Sequence, residues 1–369
     1  MASYTSAQLY GAGTAGETIS GSTLFMFTNP GDSSYFVLET LPDNNGTYTG
    51  KQPCAAGTWF PSTTTMGPLS SPFRNAVVVQ PGTSSVVFTP SSPITGSIFR
   101  FRGTGQFGMV TFNPSSSLFA AGEKGVWFDA GDLSTMFQDV AGTIPVTAVG
   151  QFVGKWLDKS GNGNHAVAAA NNTTRPTYQI DNEGNPNVTF TKSPATQLVT
   201  SAINFTGTAQ MTACIGIHVT DSSSAGIPLE LSADATANNG AFLFGAPSAA
   251  NDHSLYVRGT TTSIRAAIPN VVDGDDIFTG LLDISQTTSG SQLIPRLNFV
   301  QLTGSQITWT PNNTPTGTGT FGNYPLYIGS RSGLGTPYGG KIYQIIVRGA
   351  LSTATQVYQI ETFTDAKLD

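Results

Sequence analysis

Short extended segments, bounded by turn-forming residues, recur along almost the whole chain. Between residues 18 and 112 they are TLFMFTN, SYFVLETL, GTWFPS, NAVVVQ, SSVVFTP, GSIFRFR and FGMVTF, and Gly, Pro, Asn and Ser separate them. β-Branched and aromatic residues favour strands, whereas the separating residues favour tight turns. This pattern predicts an all-β protein, because no helix is needed to explain any of this region.

The remainder of the chain continues the pattern up to its last residues. Further strand candidates are Asn187–Thr191, Met211–Val219, Ala241–Phe244, Ser254–Arg258, Phe278–Ile284, Ile294–Leu302, Ile307–Trp309, Leu326–Gly329 and Lys341–Arg348. After them, Val357, Ile360 and Phe363 recur at a helical spacing behind a possible N-cap at Ser352. We therefore expect one short C-terminal helix that ends near residue 363.

The length of 369 residues suits two domains, each able to bury a core. Asn113 and Pro114, followed by three serines, mark the best linker, because Pro blocks continuation of the strand before it. We expect an N-terminal β domain over residues 1–112, a linker over 113–122 and a second domain over 123–369. Charged residues make up only 10% of the chain, which leaves little repulsion between packed identical copies.

Charge and cysteine content exclude several classes of function. The net charge of −6 and the scattered 16 Lys and Arg exclude a nucleic-acid partner, since such binding requires a basic stripe. Cys54 and Cys214 fall in different expected domains, so both are expected to be reduced, buried thiols. The opening MASYTSAQLYGAG lacks the features of a signal peptide, and no apolar run approaches the ~20 residues of a membrane helix. We expect a soluble product made in the cytoplasm, with no cofactor and no membrane insertion.

One tight polar corner lies between two strand candidates, in KWLDKSGNGNHAVAAANNTTRPTY (residues 155–178). Its residues tolerate turn and left-handed conformations, so the chain must reverse or bulge there. We predict positive φ angles at Gly161 and Gly163. The side chain of Asp158 or Asn162 is expected to bond nearby main-chain N–H groups and so hold the corner.

This corner, together with GVWFDAGDLSTMFQD, GTFGNYPLYIGSR and YGGKIYQIIVRGALS, resembles the laminin-G-like, concanavalin-A-type domain of many tailed-bacteriophage structural proteins. The resemblance covers roughly the last two-thirds of the chain. It implies a jelly roll of two packed antiparallel sheets, closed by a strand and a short helix. In such families the domain serves carbohydrate or protein binding and virion architecture.

The resemblance implies a virion protein, assembled in the host cytoplasm. Our first hypothesis is a tail-fibre or tail-spike component that displays a lectin-like domain for attachment to the host surface. The alternative is a capsid decoration protein, such as a cement or head-fibre protein. In either case the N-terminal domain would contact other virion proteins, a host glycan is a further partner, and the phage resemblance favours a homo-oligomer, most plausibly a trimer.

Two N-terminal strands carry candidate interface residues. In Thr23–Thr28 both alternating sets are apolar, which predicts that Phe25 and Phe27 are covered by a neighbouring subunit. In the strand from Ile98, Arg100 and Arg102 share one face. They form either a solvated outer face or a docking edge for carboxylates of another virion protein.

Candidate ligand residues in the second domain are weaker. Trp309 and Tyr338 lie near expected loops, where partly exposed rings could stack on sugars. Asp273, Asp275 and Asp276 form the densest acidic cluster, but no further calcium ligands can be assigned. A solvated turn before the strand at Phe278 is therefore favoured over a metal site.

Enzymatic functions find little support in the sequence. Two G-x-G-x-x-G runs, at residues 103–108 and 317–322, precede strand-like sequence and not the helix that a dinucleotide site needs. A glycan-cleaving enzyme requires paired carboxylates, and Glu230 with Asp234 is the nearest approach. Because their segment runs into a loop and the Glu-x-Asp-x-x-Glu pattern of glucanases is absent, no catalytic residue is assigned and no enzyme is expected.

Overall fold

A computed structural model describes residues 112–368, apart from 169–173, 248–251, 270–273 and 312–314, and only the backbone of eleven strands before residue 112. The chain separates into two units, Met1–Phe112 and Asn113–Asp369. The strands of the first unit are β1 (Ala2–Thr5), β2 (Gln8–Tyr10), β3 (Thr18–Ile19), β4 (Thr23–Met26), β5 (Phe36–Leu41), β6 (Thr58–Pro61), β7 (Asn75–Val79), β8 (Ser85–Phe88), β9 (Ile94–Thr95), β10 (Ile98–Gly103) and β11 (Gln106–Met109).

Five of these strands form an antiparallel sheet in the order β2-β10-β5-β7-β6, and the others pair as β1-β11, β3-β9 and β4-β8. Because β10 has a strand on both sides, Arg100 does not lie on a sheet edge, and the expectation of a docking edge is corrected there. Arg100 is instead the cross-strand partner of Glu39. The side chains of Phe25, Arg100 and Arg102, and all of Phe27, lie outside the described residues.

The second unit is an antiparallel β-sandwich. Its eight-stranded sheet runs β16-β17-β31-β20-β25-β26-β27, with β12 pairing β31 beside β17. These strands are β12 (Gly125–Asp129), β16 (Thr177–Ile180), β17 (Pro186–Phe190), β20 (Gln210–Val219), β25 (Asp275–Asp283), β26 (Leu293–Leu297), β27 (Val300–Gln301) and β31 (Gly340–Arg348).

The facing ten-stranded sheet runs β13-β14-β15-β18-β30-β21-β22-β23-β24-β28, and β19 pairs β29 separately. These strands are β13 (Met136–Phe137), β14 (Lys155–Trp156), β15 (Ala166–Val167), β18 (Leu198–Thr200), β19 (Ile203–Asn204), β21 (Leu229–Leu231), β22 (Ala241–Gly245), β23 (His253–Arg258), β24 (Ser263–Ile268), β28 (Thr308–Thr310), β29 (Asn323–Tyr324) and β30 (Leu326–Ile328). Alternate residues of the two sheets, such as Ile215 and Phe244, meet in one buried cluster. The predicted all-β sandwich with a short C-terminal helix is confirmed.

Three helices accompany the sandwich: α1 (Pro114–Leu118), α2 (Ser289–Gln292) and α3 (Ala354–Asp365). None of the described helices is long and apolar enough to cross a membrane. The predicted C-terminal helix begins one residue later than expected, because Thr353 and not Ser352 accepts the N–H of Gln356 as N-cap. The Ser352 N–H donates instead to the Thr212 hydroxyl.

The segment 113–122, interpreted from the sequence as a linker, starts with helix α1 and belongs to the second unit. The Asn113 side chain accepts the N–H of Ser115, and Pro114 occupies the first helical position, where its missing N–H costs nothing. Leu118 is fully buried. An apolar anchor at its end therefore fixes this segment to the sandwich.

The polar corner has the predicted mechanism. Gly161 and Gly163 have φ angles of 93° and 74°, in the left-handed region that glycine tolerates. The buried Asp158 carboxylate accepts the N–H groups of Ser160 (2.8 Å) and Asn164 (3.0 Å). It also accepts the N–H of Trp127 in β12 (2.9 Å), so it joins the corner to the opening strand of the sandwich.

Cys214 is a buried free thiol in the middle of β20, as expected. Burial raises its pKa to about 12, and a weak contact with the Thr364 hydroxyl (3.6 Å) places it under helix α3. The thiolate that reacts with electrophiles is therefore scarce at neutral pH. Cys54 lies outside the described residues.

Candidate functional site

Helix α3 covers only part of the outer face of the eight-stranded sheet. Cys214 and Gln344 lie beneath it, and the Gln344 side chain donates to the Thr364 hydroxyl (2.7 Å). Towards β16 the outward-facing residues are exposed or half-buried. This part of the face can meet a partner.

Six outward-facing residues form a continuous row across this part of the sheet. Each is the cross-strand partner of the next: Phe152, Thr177, Thr189, Lys341, His218 and Asp275. We call this set the outer row. Because neighbouring strands lie ~4.8 Å apart, the outer row spans roughly 24 Å. It therefore presents an aromatic ring, hydroxyls and charged groups along one line.

A groove of about 300 Å³ opens at the Phe152 end of the outer row. Its lining residues are Phe152, Arg175, Pro176, Thr177, Thr189, Thr191, Pro194 and Thr196. The Phe152 side chain is 37% exposed, which is unusual for a large apolar residue outside a binding site. The groove thus combines one accessible ring with four threonines.

The threonines of the groove are held by local hydrogen bonds. The Thr189 hydroxyl donates to Asn187 Oδ1 (2.8 Å), and the Thr191 hydroxyl donates to the carbonyl of Pro194 (2.6 Å). Thr177 Oγ1 accepts from the Gln179 side chain (3.2 Å). A hydroxyl oxygen has two lone pairs besides its donor, so each retains capacity to accept from a ligand.

The other end of the outer row is a closed network of titratable groups. Asp275 Oδ1 lies 3.0 Å from His218 Nδ1 and 3.1 Å from the Tyr343 hydroxyl, which donates to Asp181 Oδ2 (2.8 Å). Burial and the two carboxylates raise the pKa of Tyr343, so its proton stays in place. Burial alone would raise the pKa of Asp181, but the Asn185 N–H, the Tyr343 hydroxyl and Lys341 outweigh it and lower that pKa.

Two pairs of carboxylates bear on hydrolytic chemistry. Asp181 and Asp275 share the Tyr343 hydroxyl, but the Asp181 side chain is only 1% exposed and cannot reach a substrate. Glu230 and Asp234 share Arg331 Nη2, at 2.8 and 3.0 Å, and Glu230 is fully buried. In both pairs one carboxylate is inaccessible, so neither offers the nucleophile and acid of a retaining glycosidase.

The aromatic residues chosen from the sequence lie elsewhere. Tyr338 was expected to be partly exposed, but it is fully buried, and its hydroxyl donates to the carbonyl of His218 (2.8 Å). That prediction is wrong because an internal acceptor satisfies the hydroxyl, which allows the ring to pack inside. Trp309 is half-buried and packs against the core from β28. Neither lies in the groove.

The acidic cluster also differs from the turn that was expected. Asp275 and Asp276 are the first two residues of β25, and Asp276 is buried against His253 (3.0 Å) and Asn298 (2.9 Å). Asp273 lies outside the described residues. Among the residues that the structure describes, no group of three or more His, Cys, Asp or Glu side chains could hold a metal ion.

Sequence reasoning missed Phe152 and Arg175. They are distant in sequence from Thr189 and Thr196, and only the pairing of β16 with β17 brings them together. The available signal was weak: Phe152 follows Gly150 and Gln151 in a loop-like stretch and has no apolar neighbour at strand spacing on its side.

No family model and no curated protein matches the chain. Among solved structures it is similar to the binding domain of botulinum neurotoxin serotype G (9% identity, 56% of this chain and 48% of that one, TM-score 0.40). It is also similar to the botulinum neurotoxin serotype D ligand binding domain in complex with N-acetylneuraminic acid (8% identity, 69% and 53%, TM-score 0.43). A third is the Ruminococcus gnavus IT-sialidase CBM40 bound to alpha2,3 sialyllactose (14%, 44% and 97%, TM-score 0.31).

The chain spans about half the length of the toxin domains that it matches. These neighbours are toxin binding domains and a carbohydrate-binding module, not phage proteins. Likeness at this level transfers neither a site nor a ligand to this chain.

Proposed function

We propose that the second unit is a non-catalytic carbohydrate-binding domain and that the groove beside Phe152 receives the sugar. The observation that carries this proposal is the accessible Phe152 ring, set against a wall of threonine hydroxyls in a groove of about 300 Å³. A groove of that volume lies at the lower end of the usual range for ligand pockets. It matches one or two sugar rings more closely than a protein segment.

Sugar recognition needs two kinds of contact, and the groove supplies both. The apolar face of a pyranose packs on an aromatic ring, and its hydroxyls exchange hydrogen bonds with fixed polar groups. Thr177 and Thr189 lie beside Phe152 on adjacent strands, so ring and hydroxyls share a rigid sheet surface. Sites on strands hold their geometry better than sites on loops.

The non-catalytic part of the proposal depends on the carboxylates. The groove lining contains no Asp or Glu, and the two carboxylate pairs described above each have a buried member. A glycan-cleaving enzyme on this fold would need an accessible pair. Absence of product after prolonged incubation with any glycan that binds would agree with the proposal, whereas turnover would replace it with the enzyme alternative.

Replacing Phe152 with Ala is expected to weaken glycan binding by about tenfold or more, because the stacking surface is lost. Binding would be identified on a glycan array and quantified by calorimetry. Ile180→Ala is the matched control, since Ile180 is also exposed (45%) and lies on β16 but does not line the groove. Equal affinities of the Phe152 variant and the wild type would remove the groove from consideration.

We further propose that the chain is a bacteriophage virion protein, with the first unit attached to other virion proteins and the second displayed. The support is the resemblance carried by the corner and the closing strand. A tail-fibre or tail-spike component is favoured over a capsid decoration protein, because a sugar groove suits attachment to a host surface. Immunogold labelling of particles separates the two, since label on the head would favour decoration.

A homo-oligomer, most plausibly a trimer, remains part of this proposal. It depends on Phe25 and Phe27 of the first unit, whose strand has two apolar faces. Light scattering coupled to size exclusion measures the mass of the particle directly. A monodisperse monomer at micromolar concentration would contradict it.

A further inference from the structure

We infer that the groove selects a carboxylate-bearing sugar over its neutral counterpart and that Arg175 is the residue that holds the carboxylate. The inference rests on the proposed function, since it names the class of sugar for the same groove. Arg175 is the one charged side chain among the lining residues, and no Asp or Glu stands beside it there.

The charge of this chain makes a lone cation in a groove informative. The protein carries a net charge of −6, and only 10% of its residues are charged. A groove for a neutral sugar needs no guanidinium, and amides and hydroxyls are abundant in this sequence. A guanidinium gives a carboxylate two parallel, charge-assisted hydrogen bonds, which a neutral hydroxyl cannot match.

Arg175 is oriented by contacts on both sides. Its Nη1 donates to the carbonyl of Gln138, across from the β16 side of the groove. The next residue, Pro176, accepts the N–H of Val153 (2.8 Å), so the backbone that carries Arg175 is tied to the segment that carries Phe152. The guanidinium and the ring are therefore held at a fixed separation, and that separation suits recognition of a single sugar residue.

Nearby charges leave Arg175 as the specificity determinant. Asp139 follows Gln138, but its carboxylate accepts from Thr143 and Ile144, and these hydrogen bonds, led by that from the Ile144 N–H, lower its pKa to about 2. Lys341 stands next to Thr189 in the outer row but pairs with Asp181 at 3.8 Å. The local acid is thus engaged in its own loop, and the second cation already has a carboxylate partner.

The test uses matched pairs of ligands that differ only in charge. Carboxylated glycans, including sialyllactose and oligogalacturonate, are arrayed beside their methyl esters and tested against the full chain. The wild type is expected to bind acids at least about tenfold more tightly than their esters. This preference should shrink as salt is raised from about 0.05 to about 0.5 M, because salt screens charge pairs.

Two variants of Arg175 separate charge from structure. Arg175→Gln is expected to bind acid and ester alike, at the affinity of the wild type for the ester. Arg175→Lys keeps the charge without the planar fork and should retain part of the preference. Thermal melting of both variants, unchanged from wild type, establishes that the fold is intact.

The possible outcomes are distinct. Equal binding of acid and ester by the wild type, with both abolished in Phe152→Ala, overturns the inference and leaves the proposed function standing. An equal loss of acid and ester binding in Arg175→Gln gives Arg175 a structural role and also overturns it. If no glycan binds at all, the proposed function fails, and the inference fails with it.

Discussion

Replacing Asp158 with Ala is expected to lower the free energy of unfolding of the second unit by about 3–5 kcal/mol. The carboxylate is 8% exposed and accepts three main-chain N–H groups, from Trp127, Ser160 and Asn164, together with the Ser160 hydroxyl. Alanine leaves these buried donors without an acceptor. Each unsatisfied donor carries its own desolvation cost, so the total exceeds that of one lost hydrogen bond.

The loss should also be cooperative, because the corner is joined to strand β12 from two sides. Asp158 holds the N–H of Trp127, and the side chains of Asn162 and Asn164 donate to the carbonyl of Gly125 (3.3 and 2.9 Å). Without the carboxylate, the corner and the first residues of β12 lose their common support. Denaturant unfolding followed by tryptophan fluorescence measures the change.

Two further variants sharpen this test. Asp158→Asn keeps one acceptor oxygen but turns an amide donor towards N–H groups, so an intermediate loss is expected. Asp139→Ala is the matched control: it also removes an Asp that accepts main-chain N–H groups in a loop, but at an exposed position. Similar stability of the Asp158 and Asp139 alanine variants would show that the corner has no special mechanical role.

The corner was predictable because its chemistry is local. Glycines that need a positive φ and an Asp that accepts N–H groups two and six residues ahead leave a signature within ten residues of sequence. The β class was predictable for the same reason, since turn residues and strand formers alternate at short range. The helix at Pro114 also had a local signal, Asn before Pro, but it was interpreted as a break in the chain.

The groove was not predictable, because its residues meet only through sheet register. Phe152, Thr177 and Thr189 become neighbours when three segments pair, and a shift of one residue would turn Thr189 inward. Tyr338 failed for a related reason. Its position near a loop suggested exposure, but the acceptor that buries it is the carbonyl of His218, 120 residues away in sequence.

Removing the Arg331 side chain is expected to destabilise the second unit by about 2–4 kcal/mol, because it leaves a buried carboxylate without its cation. Glu230 is fully buried, and it accepts from Arg331 Nε (3.1 Å) and Nη2 (2.8 Å) and from the Ala235 N–H (2.6 Å). The figure lies below the range for fully buried pairs, because the Arg331 side chain is 25% exposed and solvent screens part of its charge.

A double-mutant cycle separates the pair from the loss of packing. Glu230→Gln alone should cost less than Arg331→Ala, since the neutral amide can keep a hydrogen bond without a buried charge. In the Glu230→Gln background, Arg331→Ala should then cost much less than it does in the wild type. Strictly additive costs would mean that Arg331 acts through packing alone and not through the carboxylate.

The pH dependence of the Arg331→Ala variant gives the sign of the effect. Burial raises the pKa of Glu230 above its ordinary 4.5, while the hydrogen bonds from Arg331 and the Ala235 N–H act in the opposite sense. Without Arg331 the pKa rises further, so the native state binds a proton at a pH where the unfolded state has lost it. Stability then increases as the pH falls through that window. The deficit of Arg331→Ala should be smaller at about pH 5 than at about pH 7, and Glu230→Gln should abolish the difference. A deficit that is the same at both pH values would show that Glu230 stays charged, or is solvated, without its arginine.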